Sequence, residues 1–376
     1  MDLSVITTYR CNSKCSMCCV WQNPTLPAEE VSLKTLAKIP AGVDYLNLTG
    51  GEPTLREDLA QIVDLLHPKA MKLEISSNGL RAERLEPIVR KYPDIKIRFS
   101  LEGFGRTNDT IRGEKGGSEK KSKGLLRLKE LGGTDLGFGV CIQDENAAEL
   151  VDLFRFAQKH RVELATSTLH NAFQFHKNDN FHYDPVSVAR QVELLIAEQL
   201  KTNSVKTWFR AYLNLGLMAK ILGQPRVLKC AAGSDFAFVD PWSDVYACNV
   251  RPDLKMGNLE SQTWDDVMNG PAADQARKKV SDCKQNCWMV GSAKTAMRNP
   301  KFARIPKPGP LLWVIENKLR VTAHAPLNVG KHVCYSQVHA HASVPHRTSY
   351  LDMPGNKRVQ SKKDVHYTYI GEFRND

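Results

Sequence analysis

Apolar residues along the first 170 positions follow two alternating patterns. Short β-prone runs occur at Leu3–Tyr9, Tyr45–Thr49, Lys72–Ser76, Lys96–Leu101, Leu136–Ile142 and Val162–Ser167. Between them, at 31–39, 57–67, 81–91, 119–131 and 146–160, apolar residues recur every three or four positions, as at Leu150, Leu153, Phe154 and Ala157. The first pattern predicts strands and the second amphipathic helices. Strands joined through helices run parallel, because only a crossover returns the chain to the same end of the sheet. Six such strands predict an α/β fold, an open or partial (β/α)6 TIM-like barrel. Functional residues in such a barrel gather at the C-terminal ends of the strands.

The pattern then changes. Residues 185–223 read as two amphipathic helices broken near Thr202-Asn203-Ser204. Phe236–Val239 and Asp244–Ala247 read as a hairpin around Asp240-Pro241-Trp242-Ser243, and 263–280 as one or two helices. Prolines 306, 308 and 310 mark a joint, and periodicity fades beyond Arg320. Gly113–Lys123, rich in Gly, Lys and Ser, reads as a mobile loop. The expected organisation is a barrel over 1–185, linking helices over 186–228, a small α+β domain over 229–300 and an unassigned extension over 301–376.

Composition adds constraints. The 376 residues are 42% hydrophobic and 25% charged, as in ordinary globular proteins. No apolar run approaches the ~18 residues of a membrane span, and no signal-like start is present, so a cytoplasmic location is expected. Ten cysteines then point to metal or redox chemistry rather than disulfides. The net charge is +11, and residues 301–376 carry 12 Lys/Arg against 5 Asp/Glu. A solvated basic extension is the plain reading of that segment, and nucleic-acid contact the alternative.

Cys11, Cys15 and Cys18 follow the first strand in the spacing C-x3-C-x2-C. Three thiolates in a short loop fit one iron–sulfur cube and leave one iron open, whereas electron carriers supply four cysteines. A zinc loop is the alternative. Gly50-Gly51-Glu52-Pro53 follows the second strand; its glycines allow close backbone approach to a ligand, and Glu52 can accept from an ammonium. Ser76 and Asn78 end the third strand, Ser100 and Glu102 the fourth. Arg112, in Ile111-Arg112-Gly113, offers a planar fork for a carboxylate. Cys230, Cys248, Cys283 and Cys287 could hold a cluster or a zinc ion. Cys141, in a predicted buried strand, reads as a small hydrophobe, with a place facing the barrel interior as the alternative, and Cys19 reads as a spare thiol. Spacing names no partner for Cys334, and His339 and His341 read as a solvated polar segment.

The cysteine loop together with Gly50–Pro53 resembles the radical S-adenosylmethionine (radical SAM) superfamily. Ser76-Ser77-Asn78-Gly79, Ser100-Leu101-Glu102-Gly103 and Ile111-Arg112-Gly113 are similar to its later motifs. Met17 replaces an aromatic, and Glu102 replaces Asp. The four later cysteines resemble the SPASM and twitch extensions, with Tyr246 in place of a glycine and Gly291 where a further ligand could stand. The resemblance implies a [4Fe–4S] cluster on Cys11, Cys15 and Cys18 that binds S-adenosylmethionine. Gly50, Gly51, Glu52 and Pro53 would hold its amino group, Ser76, Asn78, Ser100 and Glu102 would lie around the cofactor, and Arg112 would pair with its carboxylate. One auxiliary [4Fe–4S] cluster is implied on Cys230, Cys248, Cys283 and Cys287. The implied activity is that of an oxidoreductase. S-adenosylmethionine is cleaved reductively to a 5′-deoxyadenosyl radical, substrate hydrogen is abstracted, and the substrate is oxidised through the auxiliary cluster.

An electron donor such as flavodoxin or ferredoxin is implied, with a small molecule or a peptide as substrate. Maturation of a separately delivered peptide and modification of RNA are the alternatives. Cys11 lies so near the start that no leader-binding domain is expected before the barrel. The ending Phe373-Arg374-Asn375-Asp376 lacks the double glycine of the molybdopterin-precursor cyclase. Asp235, Asp240 and Asp244 are candidate bases that nothing in the sequence ranks.

Overall fold

Six parallel strands form as the alternation predicts: β1 (Asp2–Ile6), β2 (Tyr45–Thr49), β3 (Leu73–Ser77), β4 (Lys96–Ser100), β5 (Asp135–Ile142) and β6 (Glu163–Thr168). The computed structural model describes residues 1–299, 309–330 and 333–335; His339 and His341 lie outside them. Helices α1 (Leu33–Leu36), α2 (Leu59–Leu66), α3 (Glu86–Lys91), α4 (Arg106–Arg112), α5 (Gly117–Glu130) and α6 (Leu150–Lys159) make the crossovers. Alternate strand residues such as Leu46, Leu48, Ile75, Ile97, Phe99 and Leu164 are buried in the core shared with the helices. The other face presents Ser4, Asn47, Ser76, Ser100, Gly139 and Ala165 to a cavity. Bulky side chains normally fill a barrel of this kind in layers. Small residues at these positions leave it hollow.

Helices α7 (Pro185–Lys201) and α8 (Val205–Ile221) pack on each other. The chain then returns to the sheet. β7 (Phe236–Val239) lies parallel to β1 on its free edge, with Asp2 opposite Phe236. β8 (Asp244–Tyr246) and β9 (Lys255–Asn258) follow antiparallel, giving one nine-stranded sheet in the order β6-β5-β4-β3-β2-β1-β7-β8-β9. The sheet is open. Helices α9 (Trp264–Asn269), α10 (Pro271–Ser281), α11 (Val290–Arg298) and α12 (Pro310–Thr322) complete the described chain.

Two expectations change. Gly113–Lys123 is largely helical: Asp109 accepts the backbone N–H groups of Gly116 and Gly117, and α5 starts there. Lys121, which made the segment look solvated, is fully buried beside Glu114 at 2.5 Å. Pro310 opens α12 rather than a joint, as its fixed φ suits a first helical turn. The Cys334 backbone exchanges two hydrogen bonds with the Gln224 side chain, which ties this segment to the loop after α8.

Candidate active site

The loop after β1 carries Cys11, Cys15 and Cys18 to the mouth of a cavity of about 430 Å³. Two backbone hydrogen bonds, Lys14 N–H to Arg112 O (3.1 Å) and Ser16 N–H to Ile111 O (2.9 Å), stitch this loop to the end of α4. Asn180 Nδ2 donates to the carbonyls of Met17 and His170, which ties the same loop to the segment after β6. All three thiols line the cavity, while Cys19 does not. Burial pushes the Cys11 thiol up to about 11 and the Cys18 thiol up to about 12, with neighbouring thiols adding to both. Without a cation they keep their protons at neutral pH, so metal binding here must release protons.

The Gly50-Gly51 turn is fixed by close packing. A Cβ on Gly50 would overlap the Thr8 carbonyl, and one on Gly51 the Arg10 carbonyl. Gly51 N–H donates to Thr8 O and Glu52 N–H to Arg10 O, at 2.7 and 2.8 Å, which extends the β1–β2 pairing toward the cysteine loop. Gly50 and Gly51 line the cavity; Glu52 and Pro53 stand behind its wall. The Glu52 carboxylate accepts four hydrogen bonds, from Thr54 N–H, Thr54 Oγ1, Ser77 Oγ and Asn78 N–H. It braces the turn against the end of β3.

Ser76, Asn78, Ser100, Glu102 and Arg112 all line the cavity. Asn78 Nδ2 donates to Asn12 Oδ1 at 2.7 Å, and Ser76 Oγ to Asn47 Oδ1 at 3.0 Å. Arg112 Nη1 donates to Glu102 Oε1 at 3.2 Å, and Cys141 N–H donates to Glu102 Oε2 at 2.7 Å. Burial alone would lower the Arg112 pKa, but Cys15, Glu102 and Glu114 outweigh it, so the guanidinium stays charged. Its Nε–H is buried with no hydrogen-bond partner. A guanidinium with an unused donor beside three thiols fits an anionic ligand.

Two cavity features escaped sequence reasoning. Cys141 faces the cavity rather than packing as a hydrophobe. His170, just beyond β6, lines it too, and its Nδ1 lies against the Thr168 carbonyl. A carbonyl only accepts, so Nδ1 carries the proton and Nε2 is an acceptor. That Nε2 has no partner, and burial holds the His170 pKa well below its ordinary value. No signal in one sequence marks His170; only the tertiary path of the loop after β6 brings it here. Asp235, Asp240 and Asp244 are not among the residues that line the cavity.

The four later cysteines lie near one another behind the wall. Burial pushes the Cys248 thiol up to about 12, with contributions from Cys287 and Cys230, and it raises Cys287, which also feels Cys230 and Cys283. Val250 N–H points to Cys248 Sγ at 3.2 Å, and Arg226 Nη1 donates to the Cys287 carbonyl at 2.6 Å. Asn249 and Met289, close in sequence to Cys248 and Cys287, line the cavity, so this group flanks it. Among the described residues, no three Cys, His, Asp or Glu side chains are gathered as a single ion requires. Four-iron clusters take each thiolate at a separate iron, so their ligands stand further apart than those of zinc.

Residues 5–157 match the model of the radical SAM superfamily, and residues 230–288 match that of SPASM, an iron–sulfur cluster-binding domain. The chain is 27% identical over 253 residues to mycofactocin maturase MftC of Mycolicibacterium smegmatis, covering 64% of this chain and 62% of that protein. It is 31% identical over 210 residues to pre-heme d1 synthase of Dinoroseobacter shibae, covering 52% of this chain and 50% of that protein. The chain thus spans less than two thirds of the length of these curated relatives. The crystal structure of Streptococcus suis SuiB bound to precursor peptide SuiA matches with a TM-score of 0.54 at 17% identity, over 76% of this chain and 71% of that one. That likeness concerns the fold. No helix among the described residues is long and apolar enough to cross a membrane.

Proposed function

We propose, from the matches of residues 5–157 to the radical SAM model and of 230–288 to the SPASM model, that this chain cleaves S-adenosylmethionine reductively and oxidises a peptide substrate. The observation that carries the reading is the meeting of three thiols, a charged and incompletely paired Arg112, and the Gly50-Gly51 turn in one cavity. Cys11, Cys15 and Cys18 would hold a [4Fe–4S] cluster, which would supply the electron for that cleavage, while the radical that removes substrate hydrogen would come from S-adenosylmethionine itself. The chain's own residues do the rest. Arg112 binds the methionine carboxylate of the cofactor, and Glu102 sets the angle of its fork. Gly50 and Gly51 bring backbone close to the ammonium, while Ser76 and Asn78 offer polar contacts to the ribose. Tyr9, Phe173, Phe238 and Tyr246 form a buried aromatic cluster beside the cavity that excludes water. His170 Nε2 accepts the proton that an oxidised substrate must lose.

Cys230, Cys248, Cys283 and Cys287 would hold an auxiliary [4Fe–4S] cluster, which would supply an acceptor for the second electron, with a flavodoxin or ferredoxin as the donor of the first. A peptide is favoured because the unpartnered acceptors His170 Nε2 and Gln174 Oε1 suit backbone N–H donors. SuiB, which shares the fold, is a protein solved with a precursor peptide. The test is anaerobic: reconstituted protein, dithionite and S-adenosylmethionine should give 5′-deoxyadenosine, and Cys15→Ala should give none. Wild type that holds iron and sulfide yet forms none would overturn the reading.

A further inference from the structure

Four cysteines line the cavity, and only three belong to the loop after β1. The fourth, Cys141, sits on β5 in register with Ser167 of β6. A chain of contacts joins it to the loop. Its N–H binds Glu102 at 2.7 Å, Glu102 binds Arg112 at 3.2 Å, and the Arg112 carbonyl accepts Lys14 N–H of the cysteine loop at 3.1 Å. The same cavity holds two unpartnered acceptors on residues more than nine-tenths buried, His170 Nε2 and Gln174 Oε1. Acceptors left open in this way expect a ligand with N–H or O–H donors, such as a peptide backbone.

We propose that Cys141 is a hydrogen-atom donor that returns a hydrogen to the carbon radical of a peptide held at His170 and Gln174. The assignment rests on the radical reading above and adds a redox-neutral outcome to it. The S–H bond breaks and a C–H bond forms at an unactivated side-chain carbon, where S–H is the weaker of the two. The thiyl left on Cys141 takes one electron from the flavodoxin-class donor, or from dithionite in vitro, and one proton from water. The carbon is restored with its hydrogen on the face that meets β5. Burial first, and Glu102 second, raise the Cys141 pKa far above its ordinary value. The thiol therefore keeps the hydrogen it has to give, unlike thiols bound to a cluster.

The assignment is testable without the natural substrate. Holoenzyme with both clusters is exchanged into D2O and given dithionite and S-adenosylmethionine alone. The deoxyadenosyl radical then meets an S–D bond, and mass spectrometry reads deuterium per molecule of 5′-deoxyadenosine. Wild type and Cys19→Ser, whose altered thiol lies off the cavity, should both give deuterated product. Cys141→Ser, with an O–H too strong to yield, should lose the deuterium, and Cys141→Ala should do the same if serine disturbs β5. Because the readout is an isotope fraction, slower turnover does not imitate the loss. Unlabelled product from wild type, or equal labelling in the Cys141 variants, overturns the assignment and leaves cofactor cleavage standing. No 5′-deoxyadenosine at all overturns both.

Discussion

Asp240, at the tip of the β7–β8 hairpin, is buried, and its Oδ1 accepts the N–H groups of Trp242 and Asp244. Burial, then the nearby Asp244 carboxylate, pushes its pKa from 3.8 up to about 8. The folded protein therefore binds this proton more tightly than the unfolded chain. The stability it contributes is complete below 3.8 and is lost as pH rises toward about 8. Asp240→Asn keeps the acceptor and removes the titration. Urea midpoints at pH 5 and pH 8 should show the variant gaining on wild type at the higher pH. A constant difference between the two proteins would show that Asp240 is ionised in the fold throughout. At this scale, legibility depended on separation along the chain. The cysteine trio is local and could be read. Glu52 could be named but not placed, because its partners Ser77 and Asn78 lie 25 and 26 residues on. Cys141 and Lys121 were misread because the cavity and Glu114 that explain them come from tertiary packing.

Helix α8 holds the last auxiliary cysteine in place through Trp288. The indole Nε1 donates to the Leu213 carbonyl at 2.8 Å, and the Arg226 guanidinium lies 4.9 Å from the ring centroid. The ring packs where a side chain at Gly216 would stand. Two effects compete in Gly216→Ala. Helix propensity favours alanine by about 0.8–1 kcal/mol, whereas forcing a methyl into a packed core costs about 1–3 kcal/mol. The indole is nearly inaccessible, so overpacking should win. The variant should unfold at lower urea and, with Cys287 displaced, hold less auxiliary iron. A more stable variant with full iron would mean that Trp288 shifts freely. Long amphipathic elements such as α6 were readable because their period repeats. β9 is four residues with one buried apolar side chain, and no period can be read from that. α12 was obscured by the prolines before it, although Pro310 marks its start.

The path of the sheet relates the two cysteine groups. β1 pairs with β2 on one edge and with β7 on the other, so one strand joins the radical SAM barrel to the SPASM strands. The Cys11–Cys18 loop leaves the end of β1, while Cys248 follows β8, two strands away. Each group is braced separately: Cys11–Cys18 by α4, Cys287 by Arg226 and Trp288. The two clusters should therefore load independently. Reconstituted wild type should hold about eight irons per chain, four in each cluster. Cys248→Ala should hold about four and still form 5′-deoxyadenosine, because the cavity keeps Arg112, Gly50 and the three N-terminal thiols. Loss of both clusters in that variant would show that the shared sheet transmits damage from β8 to the loop after β1. Loss of cleavage with four irons retained would show that the electron enters through the auxiliary side.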